Sequence, residues 1–181
     1  FCTNFEGKHI TMTVGAAGAL NIVFKTILDP QDEVLALAPY FGEYRGYVAN
    51  HQGILREVVP NTETFQPDFE DLKNKINNPV NPTGVVYSEE TIQTIAAIMD
   101  EKQKAYGHDI YMVSDEPYRE LVYDGNEAPF LTKYYDNTFV TYSFSKSLSI
   151  PGERIGYVAV SPSMTDCEQS CSALSVANRI L

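Results

Sequence analysis

Short apolar runs alternate with helical patterns along most of this chain, and this alternation restricts the possible folds more than any other feature of the sequence. Residues 34–38 form one such run, which ends at Pro39 and is typical of a strand buried on both faces of a parallel sheet. Further strands are predicted at residues 11–14, 54–59, 110–113, 139–142 and 155–160. Helices are predicted at residues 15–28, 68–76, 88–105 and 164–180, the third with Ser88 as its N-cap and with Gly107 closing it. A long loop is predicted at residues 123–137. The pattern predicts an α/β fold, in which a mostly parallel sheet lies between two helical layers as a three-layer α/β/α sandwich.

The composition is that of an acidic domain with its own core. Of the 181 residues, 44% are hydrophobic, which is enough for one domain. The formal net charge of -11 disfavours nucleic acids and anionic membranes as partners, because both are polyanionic. No apolar run approaches the roughly 18 to 20 residues of a membrane span, and no signal-peptide pattern begins the chain, so we expect a cytoplasmic protein. Cys2, Cys167 and Cys171 lack the spacing of a disulfide framework; they are expected to be reduced thiols, and no metal site is expected.

A lysine and an arginine lie in the loop between the last two predicted strands. The segment Ser143-Phe-Ser145-Lys146 follows one strand, and Gly-Glu-Arg154-Ile-Gly-Tyr leads into the next. A lysine at the mouth of a sheet is a candidate Schiff-base nucleophile. Arg154 could bind a phosphate through two hydrogen bonds, and the Ser143 hydroxyl could add another. Taken alone, a lysine and an arginine in loops are more often solvated charges.

Asp115 and Tyr118 follow the strand predicted at residues 110–113, in the sequence Ser-Asp-Glu-Pro-Tyr. Ligands gather at the carboxyl ends of parallel strands, so we expect the Asp115 carboxylate at the same edge of the sheet as Lys146. A buried carboxylate beside a pyridine nitrogen keeps that nitrogen protonated, and the Tyr118 phenol could bind the ring oxygen of the same cofactor. The alternative is an ordinary turn with a capping carboxylate.

Three further segments complete the set of candidate residues. Asn81, in Asn-Pro-Val-Asn-Pro-Thr-Gly, could donate its side-chain amide to a ring phenolate, or could belong to a plain turn. Gly15, Ala16 and Ala17 begin a predicted helix, whose first N–H groups and dipole attract a phosphate. Phe41 follows a predicted strand and could lie over a flat ring, although most such aromatic residues belong to the core.

Together, and in this order, these segments resemble the aspartate aminotransferase family, the class I/II pyridoxal-phosphate (PLP) enzymes of fold type I. The resemblance runs from about Thr11 to Asn178 and depends on three fairly specific motifs: N-P-x-N-P-T-G, S-D-E-P-Y, and S-F-S-K followed by G-x-R-x-G-Y. It implies a PLP-dependent aminotransferase that moves an amino group from an L-amino acid to a 2-oxo acid such as 2-oxoglutarate. It also implies a homodimer. A lyase or synthase of the same fold, and a non-catalytic α/β fragment, are the alternatives that the residues leave open.

The resemblance assigns a role to each candidate residue. It makes Lys146 the Schiff-base lysine that holds PLP and later moves the proton at the substrate α-carbon. Asp115 pairs with the pyridine nitrogen, Tyr118 and Asn81 bind the ring oxygen, and Phe41 stacks on the ring. The phosphate contacts are assigned to Ser143, Ser145, Arg154 and the backbone of Gly15, Ala16 and Ala17. The same resemblance predicts a cis bond between Asn81 and Pro82.

Two departures from the family pattern accompany the resemblance. The family has a strand before the Asn-Pro motif, yet no apolar run lies between Phe69 and Asn78, so either the sheet has lost a strand or residues are absent from the chain. Family members are also considerably longer, with a small domain that supplies an arginine for the substrate carboxylate. Residues 1–181 are therefore expected to be the PLP-binding large domain, incomplete and lacking an N-terminal segment and the C-terminal small domain.

Overall fold

Seven strands, among the residues that the structure describes, form one mixed sheet. The structure is a computed structural model; it describes residues 4–64, 66–75, 80–81, 87–121 and 127–181, with only the backbone at 80–81. The strands are β1 (Ile10–Val14), β2 (Glu33–Leu37), β3 (Ile54–Val58), β4 (Val80–Asn81), β5 (Met112–Asp115), β6 (Thr138–Ser143) and β7 (Ile155–Val160). The helices are α1 (Gly15–Ile27), α2 (Tyr44–Asn50), α3 (Phe69–Lys75), α4 (Glu89–Tyr106), α5 (Phe144–Ser147) and α6 (Cys167–Ile180). Short 3-10 turns lie at Gly7–His9, Leu131–Lys133 and Pro151–Glu153.

The sheet is mostly parallel, as the sequence predicts. Its strand order is β1-β7-β6-β5-β4-β2-β3. Strand β7 runs antiparallel to both of its neighbours, β1 and β6, whereas the pairs from β6 to β3 are parallel. Six strands therefore point the same way, and their carboxyl ends meet the beginning of β7 at one edge of the sheet.

Helices cover both faces of the sheet, and each helical layer has its own apolar cluster. Phe24 of α1 packs with Phe139 of β6 and Leu174 of α6 on one face. On the other face, Leu72 of α3 and Met99 of α4 pack in a second cluster with residues of β2 and β5. All five of these side chains are at most 1% exposed. The predicted three-layer α/β/α sandwich is confirmed.

The longest helix, α4, begins and ends where the sequence predicts. The Ser88 hydroxyl caps its first turn by accepting a hydrogen bond of 3.1 Å from the Thr91 amide. Gly107 ends it in the left-handed conformation, with φ of 72°, which a residue without Cβ adopts at little energetic cost.

Strand β5 differs from its predicted bounds in a way that affects the site. The apolar run 110–113 predicts the strand, yet β5 begins at Met112 and ends at Asp115. Its end is extended because Ser114 and Asp115 pair with Val140 and Thr141 of β6. Asp115 is therefore the last residue of a strand rather than part of a turn.

Three elements were not predicted from the sequence. Strand β4 has two described residues, lies inside the Asn-Pro motif and fills the gap between β2 and β5. The residues directly before it, 76–79, lie outside the described part of the chain, so the expectation of a lost strand or absent residues stays untested. Helices α2 and α5 have seven and four residues, too short to show a helical period.

Two sequence expectations concern backbone or membrane properties. Ala38–Pro39 is a cis peptide bond, whereas Pro82 lies outside the described residues, so the bond predicted to be cis at Asn81–Pro82 stays a prediction. In the described part of the chain, no helix combines the length and the apolar character required to cross a membrane.

Candidate active site

A cavity of about 680 Å³ opens at the edge of the sheet where β1, β2, β5 and β6 end and β7 begins. This volume is in the range of small-molecule sites, roughly 300 to 1,000 Å³. Nine of the residues predicted from the sequence line the cavity: Ala16, Ala17, Phe41, Asp115, Tyr118, Ser143, Ser145, Lys146 and Arg154. Residues from five different segments of the chain therefore face one ligand-sized space.

Lys146 reaches the cavity from the short helix α5, which begins directly after β6. Ser143, the last residue of β6, caps this helix by accepting a hydrogen bond of 3.1 Å from the Ser145 amide. The Lys146 Nζ atom lies 5.3 Å from the centroid of the Tyr118 ring, which is a cation–π distance. The phenol predicted to bind a ring oxygen thus lies beside the amine predicted to hold the cofactor.

Asp115 places a largely buried carboxylate in the wall of the cavity. Its Oδ2 atom accepts a hydrogen bond of 2.6 Å from the Tyr44 phenol, and its Oδ1 atom accepts one of 3.1 Å from the Thr141 hydroxyl. Burial raises the pKa of the Asp115 carboxyl, while the two hydrogen bonds act in the opposite direction. A cationic N–H group placed beside this carboxylate would favour its charged form.

Glu116 and Arg119 form an ion pair in the wall of the cavity. Arg119 Nη1 lies 2.6 Å from Glu116 Oε2, and both side chains are at least 88% buried, with 12% and 9% exposed. The same guanidinium donates to the carbonyl oxygens of Ala128 and Pro129, so it attaches the segment at 127–131 to the end of β5. Burial raises the pKa of Glu116, and the charge of Arg119 opposes that rise.

Hydrogen-bond donors suited to an anion gather at the other side of the cavity. The Ser143 and Ser145 hydroxyl oxygens are 2.6 Å apart, and both residues line the cavity together with Arg154. The first turn of α1 adds Ala16 and Ala17, where backbone N–H groups have no partner within the helix. This set of groups is one that binds phosphate.

Two glycines allow these segments to approach closely. Gly15 has φ of +69°, and a Cβ atom there would lie 3.1 Å from Arg154 Nη2. Gly156 is more constrained, because a Cβ atom would lie 2.4 Å from the Tyr142 carbonyl oxygen and 2.7 Å from the Gly15 carbonyl carbon. The second glycine of the G-x-R-x-G-Y motif is therefore required for the contact of β7 with β6 and with the β1–α1 junction.

Aromatic side chains form one wall of the site. Phe41 lines the cavity and is 56% exposed, so one face of its ring is open to a ligand. It packs edge-on against Tyr44, with ring centroids 5.8 Å apart, and Tyr40 stacks on the same tyrosine at 6.2 Å. This wall follows from the turn at Pro39 between β2 and α2.

Two predicted residues lie outside this group. Gly15 does not line the cavity; it lies directly beside the Arg154 guanidinium instead. The backbone of Asn81 lies in β4, paired with Ala36, while its side chain is outside the described part of the structure. The prediction that its amide binds a ring oxygen therefore stays a prediction.

Sequence reasoning missed Tyr44, Thr141 and the Glu116–Arg119 pair. Thr141 could have been found, because alternation along β6 places it on the same face as Ser143, and a parallel neighbour places it beside Asp115. Tyr44 is distant from Asp115 in sequence, and no local pattern joins them.

Comparison with known sequences identifies the family. The family described as aminotransferase class I and II matches residues 3–179. A probable aspartate/prephenate aminotransferase of Thermus aquaticus is 38% identical over an alignment 161 residues long, which covers 83% of this chain and 40% of that protein. A probable aspartate/prephenate aminotransferase of Aquifex aeolicus is 35% identical over an alignment 188 positions long with its gaps, which covers 96% of this chain and 46% of that protein. The chain thus spans about half the length of the curated relatives it matches.

Solved structures give the same result. The crystal structure of an amino transferase from Eubacterium rectale has a TM-score of 0.95 and 46% identity, covering 98% of this chain and 47% of the other. An aspartate aminotransferase from Thermus thermophilus with maleate has a TM-score of 0.82 and 30% identity, covering 98% of this chain and 46% of the other. The fold and the sequence agree: this chain belongs to the aminotransferase class I and II family and has its fold type I.

Proposed function

We propose that the protein is a PLP-dependent aminotransferase that transfers the amino group of an L-amino acid to a 2-oxo acid such as 2-oxoglutarate, and that residues 1–181 belong to its PLP-binding domain. The observation that supports this most strongly is the shared cavity, which is lined by Lys146, the buried Asp115 carboxylate and Arg154. Family membership implies the cofactor.

The chemistry of the donor set fits PLP. The cofactor has a ring nitrogen, a ring oxygen, an aldehyde and a phosphate. Asp115 offers a buried carboxylate to the nitrogen, and Tyr118 offers a phenol to the ring oxygen. Ser143, Ser145 and Arg154, with the first turn of α1, offer hydroxyl, guanidinium and amide donors to the phosphate; the two serine hydroxyl oxygens are 2.6 Å apart.

When bound, PLP supplies a protonated ring that withdraws electrons from the substrate α-carbon. The ionised Asp115 carboxylate would keep the ring nitrogen protonated, because a nearby negative charge favours the positive form. The Lys146 amine would hold the cofactor covalently, and once the substrate amino group has displaced it, the freed amine would take the proton from the substrate α-carbon and deliver it to the C4′ carbon of the cofactor. The Tyr118 phenol, beside the amine, would hold the ring oxygen.

The surrounding residues would orient the cofactor and exclude water from one side. Phe41 would cover one face of the ring, since it is exposed toward the cavity. The Glu116–Arg119 pair would fix the wall formed by residues 127–131, because Arg119 binds the carbonyl oxygens of Ala128 and Pro129. Orientation of this kind lowers the barrier without any further chemical group.

Assembly and location are part of the same proposal. We propose a homodimer in the cytoplasm, in line with the family resemblance and with Cys167 and Cys171, which are free thiols. Relatives named aspartate aminotransferase and aspartate/prephenate aminotransferase make aspartate the first amino donor to test.

The test is an assay of the intact protein with PLP, an amino donor and 2-oxoglutarate. We expect glutamate to form in step with the 2-oxo acid derived from the donor. Lys146→Ala should lower the rate by about 10² to 10⁴-fold, the usual contribution of a positioned general base. Release of ammonia and pyruvate without glutamate would contradict transamination and would support elimination instead.

A further inference from the structure

The Asp115 carboxylate is held from two sides by residues that the cofactor assignments do not include. Tyr44 donates to Oδ2 at 2.6 Å, and Thr141 donates to Oδ1 at 3.1 Å. We propose that Tyr44 is a positioning residue, whose phenol fixes the Asp115 carboxylate in the orientation and charge state that accept a hydrogen bond from the ligand in the cavity. This inference rests on the proposed function for the identity of that ligand.

Tyr44 can do this because its ring has a fixed position. The residue is 5% exposed and begins helix α2. Tyr40 stacks on it with an interplanar angle of 13°, Phe41 packs on its edge, and Tyr47 lies 6.4 Å away. A ring packed on three sides holds its hydroxyl in one place, so the hydrogen bond to Asp115 needs little further ordering.

The geometry leaves room on the carboxylate for a third donor. Each carboxylate oxygen can accept two hydrogen bonds, and Tyr44 and Thr141 supply one to each oxygen. The two bonds together fix the plane of the carboxylate. No other side chain in the described part of the chain donates to this carboxylate, so its remaining lone pairs could accept a hydrogen bond from a ring N–H group.

The phenol also acts on the charge of Asp115. Burial disfavours the carboxylate, and the two hydrogen bonds oppose this effect. The other charged or titratable groups that line the cavity are Tyr40, Glu43, Tyr47, Tyr87, Glu116, Tyr118, Arg119, Lys146 and Arg154. Tyr44 differs from all of them in donating directly to the carboxylate.

A titration without cofactor tests the inference independently of the proposed function. The full chain, labelled with ¹³C at aspartate side chains, is titrated by NMR, and the Asp115 signal is assigned by its loss in Asp115→Asn. In Tyr44→Phe we expect the Asp115 midpoint to move upward by about one pH unit, because a hydrogen bond to a charged group is lost. A midpoint equal to that of the wild type would overturn the proposal.

Tyr111→Phe is the matched control. It also removes a phenol–carboxylate hydrogen bond, 2.9 Å from Tyr111 to Asp166, at a site that does not line the cavity. We expect it to leave the Asp115 midpoint unchanged. An equal shift in this variant would mean that general loosening of the fold moves the midpoint, and it would overturn the specific role of Tyr44.

A second substitution changes the strength of the hydrogen-bond donor while it retains the shape of the side chain. Fluorotyrosine introduced at position 44 makes the phenol a stronger donor, so the Asp115 midpoint should move downward, opposite to Tyr44→Phe. No movement of the Asp115 midpoint, or movement upward, counts against the proposal even if Tyr44→Phe does not fold.

With PLP added, Tyr44→Phe should bind the cofactor about tenfold more weakly than the wild type. Absence of PLP binding in the wild type, combined with a shifted midpoint in Tyr44→Phe, would refute the proposed function and leave the role of Tyr44 intact.

Discussion

Lys146 is the third residue of the four-residue helix α5, and its Nζ atom lies over the Tyr118 ring inside the cavity. If the proposed function is right, its amine reacts with PLP in preference to the other lysines, because the carboxylate of Asp115, the phenol of Tyr118 and the groups that would donate to a phosphate line the same cavity as Lys146. We expect borohydride reduction in the presence of PLP to label Lys146, as detected by peptide mapping with mass spectrometry.

Lys133 provides the comparison for this labelling. It lies in the 3-10 turn Leu131–Lys133 and does not line the cavity. Lys133→Ala should be labelled as strongly as the wild type, whereas Lys146→Ala should lose the label. Label on a different lysine, or on none, is the result that would disprove the assignment of Lys146.

Strand β7 lies between β6, which ends at Ser143, and β1, which leads into helix α1. Gly156 is the residue at which β7 approaches both of them most closely. It pairs with Ser143 of β6 and with Thr13 of β1. A Cβ atom at Gly156 would meet the backbone of Tyr142 and Gly15 at 2.4 to 2.9 Å, and backbone cannot move aside as a flexible side chain can. We expect Gly156→Ala to lower the free energy of unfolding by about 1 to 3 kcal/mol, the usual range for overpacking, as measured by urea denaturation.

Gly156→Ala should also weaken the binding of PLP, beyond its effect on the stability of the fold. Moving Gly15 displaces the start of α1 and the surface under Arg154, so PLP should bind more weakly in Gly156→Ala even where the protein is fully folded. Gly152→Ala is the control in the same loop, because a Cβ there has nothing within 4 Å. Its unfolding free energy should change by less than about 0.5 kcal/mol. Equal effects of the two substitutions would show that the close contact at Gly156 has no importance.

The stability of the whole molecule depends on pH through the buried acids of the site, which make the fold less stable at neutral pH than at acidic pH. Burial raises the pKa of Asp115, so the folded protein takes up this proton more readily than the unfolded chain does. The resulting stabilisation is fully present below the unfolded pKa and is lost as the pH rises through the folded pKa. Glu116 adds to this trend in the same direction, because its pKa is raised as well.

Asp115→Asn should therefore gain stability relative to the wild type as the pH rises. We expect the difference in unfolding free energy to move in favour of Asp115→Asn as the pH rises from about 3.5 to about 8, by about 1.4 kcal/mol for each pKa unit by which folding raises the Asp115 pKa. Thermal or urea unfolding of both proteins across this range measures the effect, in the absence of PLP. A constant difference between the two proteins would mean that the Asp115 pKa is not raised.

Much of the fold could be predicted because its signals are local. Strand β7 was predicted with its observed bounds, and α4 was predicted with its Ser88 cap and its Gly107 end. Helices α2 and α5 were missed, because a helix of one or two turns has no measurable period and its stability comes from tertiary packing. Strand β4 was missed for a related reason, since pairing with its neighbours and not its composition makes its two residues a strand.

The sequence by itself determined the α/β alternation, the caps and the motifs around Asp115, Lys146 and Arg154, because hydrophobic period, Gly and Pro positions and short motifs are properties of neighbouring residues. Only the tertiary structure decided that these residues face one cavity and that Tyr44, far from Asp115 in the chain, donates to its carboxylate. The physical reason is that strand order and packing bring distant residues together, and a single chain pattern carries no record of which strand lies beside which.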